Sequence, residues 1–186
     1  PYFLLGLGGV VTYDSRNDLF YPTKGILGSA SLVLYDPLWG STYNIVQLNF
    51  DFRQYIALYK QHVFAWQFVT DWRLGNSIPF QMLTTIGGNQ LLRGVPGDLF
   101  RDNVMAALQA EYRFPIYKVL RGAVFASSGD VLNSNSLMIN RLKTSYGAGI
   151  RFKIIRGKIN VSGRWDITHT NVDKGFQFFL TAMEAF

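Results

Sequence analysis

Residues 91–102, LLRGVPGDLFRD, hold two arginines and two aspartates among glycines and a proline, in a chain whose charged content is only 16%. A cluster of opposite charges on a glycine-rich loop has two uses. It can remain a solvated turn whose glycines merely permit the bends. It can also carry an arginine to a carboxylate somewhere else in the fold. Catalytic arrangements are poorly supported by contrast. No G-x-S-x-G elbow occurs, and GLGGV (6–10) does not complete a dinucleotide fingerprint, because position 11 is Val. His62 and His169 are isolated without metal-ligand spacing, and cysteine is absent, which removes disulfides and thiolate sites. Asp71 and Glu111 are carboxylates that could share one interior, but no rim cluster suited to hydrolysis accompanies them. The residues predict a non-enzymatic chain with no cofactor and no metal.

The elements that would position this loop follow period two rather than 3.6. In VQLNFDFR (46–53), Val46, Leu48, Phe50 and Phe52 share one face, and Gln47, Asn49, Asp51 and Arg53 the other. Leu108, Ala110, Tyr112 and Phe114 oppose Gln109, Glu111 and Arg113 in the same way, and Ile159, Val161, Trp165 and Ile167 oppose Asn160, Ser162, Arg164 and Asp166. Strands are predicted over 2–14, 25–36, 43–57, 62–74, 104–115, 119–128, 144–155, 158–168 and 175–186. Short turns at 59–61, 116–118 and 155–158 alternate with long connections at 36–41, 75–103, 129–143 and 169–175. Only 15–25 is long where a short turn is expected.

Two architectures share this alternation. A soluble sandwich or lipocalin-like barrel buries the apolar face, whereas a membrane barrel turns it to lipid and lines its lumen with the polar face. Strands of 10 to 14 residues suit a tilted span of about 9–11 residues better than a sandwich, whose strands average about 5–6. Aromatics also gather near strand ends, at Tyr55, Tyr59, Trp72, Tyr112, Tyr117 and Trp165. The chain has 15 Phe and 10 Tyr and no run of eighteen apolar residues, so a transmembrane helix is excluded. Its net charge of +6 is scattered, which argues against nucleic acid. The fold expected is an all-β, transmembrane, antiparallel up-and-down β-barrel forming one domain over 1–186. The opening PYFLLGLGG lacks the features of a signal peptide, so a mature chain, a fragment or the ordered part of something longer is expected.

Five stretches carry a resemblance: YDSRNDLFYPTKG (13–25), GGNQLLRGV (87–95), LQAEYRFPI (108–116), VFASSGDV (124–131) and a terminal strand ending in Phe186. In this order they resemble the C-terminal barrel portion of the BamA/TamA outer-membrane assembly family, within the bacterial surface-antigen superfamily that includes the two-partner translocators. The resemblance implies a location in the bacterial outer membrane and a sixteen-stranded barrel, of which these nine strands would be the last nine. It further implies that 75–103 is a lid loop folding into the lumen, where Arg93, followed by Gly94, would lock onto Glu111. The family's aromatic after Arg-Gly is Val95 here. Its second wall acid falls on Ser127, leaving Asp130 as a candidate substitute. The last strand, through Phe176, Phe178, Leu180 and Phe186, would form a lateral seam.

The function implied is assistance to insertion or translocation of polypeptides at the outer membrane. The partners implied are outer-membrane lipid, unfolded or secreted polypeptides, and accessory assembly proteins. A passive pore, or the membrane anchor of a larger patatin-like protein, is the alternative.

Overall fold

The computed structural model describes residues 2–88, 90–97, 99–117, 119–134, 142–156, 159–173 and 176–182. Nine long strands form one antiparallel sheet in which every member pairs with its neighbours along the chain: β1 (Gly6–Asp14), β2 (Gly25–Tyr35), β3 (Ile45–Ala57), β4 (Val63–Gly75), β7 (Val104–Tyr117), β8 (Leu120–Leu132), β9 (Lys143–Arg156), β10 (Ile159–Thr170) and β11 (Phe176–Ala182). Two three-residue strands, β5 (Thr84–Ile86) and β6 (Phe100–Asp102), pair with each other inside the long connection between β4 and β7. Among the described residues β1 and β11 share no pairing, so the sheet is not closed.

The distribution of exposure decides between the two architectures. Leu48, Phe50, Phe68, Leu108, Tyr112, Val124, Trp165 and Ile167 are exposed, while Gln67, Gln109, Glu111, Arg113, Arg151, Arg164 and Asp166 are buried. This is the inverse of a soluble protein, in which ionisable groups are almost never buried without partners. Register keeps the two faces separate across strands: Phe68 sits opposite Leu108, Ala110 opposite Ala126, and Ile167 opposite Phe178 on the outer side. On the inner side Gln67 faces Gln109, and Gln109 Nε2 donates to Gln67 Oε1 at 2.6 Å. Charges along the inner face pair with the residue two positions on, which alternation places on the same side. Arg53 meets Asp51 at 2.6 Å, Arg73 bonds Asp71, and Arg113 meets Glu111 at 2.7 Å.

The connection 15–24 is long because it is folded, not slack. Asp18 Oδ1 accepts from the backbone N–H of Phe20 and Tyr21, and Asn17 Oδ1 accepts from those of Thr23 and Lys24. Gly25 closes the turn at φ +108°, and a side chain there would collide with the Ser15 carbonyl. Arg16 is bonded through Nε and Nη2 to Asp14, and this hydrogen-bonded carboxylate raises the guanidinium above its ordinary range even though burial acts the other way.

Candidate functional site

The loop between β4 and β7 turns back onto the inner face of the sheet. Ile86, Leu92 and Val95 are buried there against Val69, Met105 and Ala107, with Leu91 and Phe100 packed alongside. Gly88 N donates to the Val95 carbonyl at 2.9 Å, and Val95 N to that of Leu92 at 3.0 Å, which closes the tip. Leu92 takes φ +48° and Gly94 φ +92°. Gly94 lies flat on β10: a Cβ there would stand 2.5 Å from Thr168 Oγ1 and 2.9 Å from Thr170 Cγ2.

This tip delivers Arg93 to the wall. Its Nη2 donates to Glu111 Oε2 at 2.6 Å, and its Nη1 to Asp166 Oδ2 at 3.1 Å. Its carbonyl accepts from Ser145 Oγ, and its guanidinium lies 3.9 Å above the Phe125 ring. Four successive strands therefore hold one residue: β7 through Glu111, β8 through Phe125, β9 through Ser145 and β10 through Asp166. Arg151 closes a ring, with Nη2 on Glu111 Oε2 at 2.8 Å and Nη1 on Asp166 Oδ1. Arg113 reaches Glu111 Oε1 at 2.7 Å, and Arg164 Nε lies 3.1 Å from Asp166 Oδ2. All six side chains are 0–1% exposed.

Space for this cluster comes from the wall itself. Gly149 sits beneath the Asp166 carboxylate, and a Cβ there would run into it and stand 2.7 Å from Arg151 Nη1. Gly147 leaves room for Phe125, whose Cζ would be 2.7 Å from a Cβ at that position. Burying ions is costly unless each is paired and hydrogen-bonded, and here both carboxylates accept from more than one guanidinium.

Of the residues singled out from the sequence, Arg93, Gly94 and Glu111 come together in this cluster. Asp130 lies nearer the loop-bearing rim of β8, where it accepts from Lys143 Nζ. The second carboxylate on Arg93 is Asp166. Phe176, Phe178 and Leu180 are exposed along β11, and Phe186 lies outside the described residues. Val95, the smaller residue after Arg-Gly, is buried with Leu92, while the aromatic contact to Arg93 comes from the wall as Phe125.

Alternation puts Asp166 on the polar face with Asn160, Ser162 and Arg164 and gives no signal for Arg151, Phe125 or Ser145 as partners of Arg93. The inward parity of Asp166 was visible, but its level relative to Arg93 was not.

Chemically the cluster is a clamp. Four guanidiniums share two carboxylates, and within the cluster no hydroxyl is held against a base. Among the described residues no group of three or more metal-ligand side chains occurs.

The Omp85 superfamily domain is matched over residues 1–182. Among solved structures, BamA from Haemophilus ducreyi, crystallised without POTRA domains 1–3, aligns with a TM-score of 0.76 at 20% identity, over 96% of this chain and 42% of that one. The likeness is one of fold, and the chain spans less than half the length of that structure. No curated protein matches the sequence.

Proposed function

The chain belongs to the Omp85 superfamily of bacterial outer-membrane barrels that insert and translocate polypeptides, and we propose that it serves as barrel wall in such a machine, assisting β-barrel insertion or the passage of polypeptides across the membrane. The observation that supports this reading is the seating of loop 76–103 on the inner face through Arg93, Glu111 and Asp166. A passive pore needs an open lumen, whereas a lid clamped by buried ion pairs suits a passage that opens only on demand. The cluster acts by positioning the lid, not by catalysis.

In this reading β11 is the working edge. Its exposed Phe176, Phe178 and Leu180 face lipid, and its backbone is the template for an incoming strand. In hydrocarbon a strand edge cannot remain unpaired, so a substrate strand adds by β-augmentation. Unfolded outer-membrane or secreted polypeptides are the substrates, and accessory assembly proteins deliver them.

A photo-crosslinking residue at Phe178 in growing cells tests the proposal. Adducts with a newly made polypeptide, lost when Arg93 is replaced by Ala, are the expected result. Lipid adducts alone, together with a large steady conductance of the purified protein in planar bilayers, would establish the passive pore instead.

A further inference from the structure

The turn 15–24 is the second segment that enters the lumen, from the rim opposite the long loop. Tyr21 is 3% exposed and Pro22 is buried, although both belong to a connection flanked by exposed Leu19 and Phe20. Both reach across the interior to β7 and β8. Arg113 Nη1 donates to the Pro22 carbonyl at 3.2 Å, and its guanidinium lies 5.2 Å from the Tyr21 ring centre. Arg121 covers the same ring at 4.7 Å and donates from Nη1 to Tyr21 Oη at 3.3 Å.

Arg113 is the hinge of the arrangement. Its Nε holds Glu111 Oε1, while Glu111 Oε2 holds Arg93. One unbroken series of charge-assisted bonds therefore runs from the tip of the upper loop to the tip of the lower turn: Arg93, Glu111, Arg113, Pro22. Each link is buried, where such bonds are strong and where a misplaced partner is costly.

We propose that turn 15–24 and loop 76–103 are the two halves of one coupled plug, joined through Glu111 and Arg113, so that withdrawing either half loosens the other. With Tyr21 and Pro22 seated, Arg113 is pinned and holds Glu111 at the angle Arg93 needs. When the turn leaves, Arg113 loses its Nη1 bond to the Pro22 carbonyl and its contact with the Tyr21 ring, and it then holds Glu111 less rigidly for Arg93. Linkage makes the effect reciprocal, with a typical coupling of about 5-fold or more in either direction. The coupling is a property of the folded wall and stands whether or not the barrel handles polypeptides.

Hydrogen–deuterium exchange on the purified full-length protein in detergent measures this directly. Arg93→Ala should speed exchange of amides in 15–24 by about 5-fold or more, and Tyr21→Ala should do the same for amides in 86–95. Exchange in β3 away from Tyr55, over residues 47–51, should be unchanged in both variants. If Tyr21→Ala does not give the heat-modifiable folded band, Tyr21→Leu replaces it, keeping the apolar volume without the ring that the guanidiniums cover. Variants that loosen only their own segment, or that raise exchange in β3 equally, would overturn the coupling.

Discussion

Arg93 on the inward loop and Arg151 on β9 bind the same two carboxylates, sharing Glu111 Oε2 and taking one oxygen each of Asp166. The loop arginine thus joins three wall arginines, Arg113, Arg151 and Arg164, around two shared carboxylates. Arg93→Ala should lower stability by about 1.5–3 kcal/mol, the usual net contribution of a hydrogen bond to a charged group, because Arg113, Arg151 and Arg164 still partner the two carboxylates. Arg93→Lys should recover only part, since an ammonium cannot span two carboxylates as a guanidinium does. The temperature at which the folded band converts to the unfolded one in detergent gels reads both.

Asp166 is the carboxylate whose role emerges from the structure, so its removal separates this site from Asp130. Asp166→Asn should release the loop, seen as protease cleavage within 76–103, whereas Asp130→Asn should leave the tip protected. The reverse order of sensitivity would mean that the loop is held at the rim by Asp130 and Lys143.

Gly94 tests the closeness of loop and wall. Gly94→Ala introduces a methyl group against Thr168 and Thr170 at φ +92°, and should cost about 1–3 kcal/mol of loop seating. A cysteine at Leu91, in a chain with no native thiol, should react faster with a maleimide in this background. Equal rates would show that the tip is not pressed on β10.

Orientation follows from the alternation of connections. The turns at 15–24 and 58–62 share one rim, and 36–44 and 76–103 the other. On intact cells an impermeant maleimide should label a cysteine at Leu38, which is 89% exposed, and should spare one at Lys60. Labelling of Lys60 alone would invert the barrel.

The outward face should reject charge by depth. Leu108→Arg, midway along β7, should cost about 2–4 kcal/mol and block assembly, while an arginine at rim residue Tyr117 should be tolerated. Tolerance at both sites would argue for water, not lipid, against that face.

The wall strands were legible because one signal, alternation of apolar and polar residues, recurs in most of them, most regularly in β3 and β7. Boundaries moved by a few residues, as between the expected 119–128 and the observed Leu120–Leu132. Strands β5 and β6 were not legible, since three residues carry no period. The site was legible in part. Alternation places Glu111, Arg151 and Asp166 on the inner face, but not at one height. That height depends on the register accumulated from β7 through β10, in which Glu111 faces Phe125, Phe125 faces Gly147 and Gly149 faces Asp166. Tyr21 was hidden for a related reason: an aromatic in a polar turn looks like a rim residue until its partners on β7 and β8 are known.

The inverted faces also bear on how the chain reaches its membrane. A secretion channel in the inner membrane releases into lipid any segment of about 20 consecutive apolar residues. Here outward apolar residues are repeatedly followed by inward polar ones, as in Leu48-Asn49, Phe50-Asp51 and Leu108-Gln109, and no run of eighteen apolar residues occurs, so no segment is greasy enough to be stopped there. The chain becomes hydrophobic on one side only after it has bent into strands. The polar residues that hold loop 76–103 to the inner face thus also let the unfolded polypeptide cross the inner membrane without lodging in it.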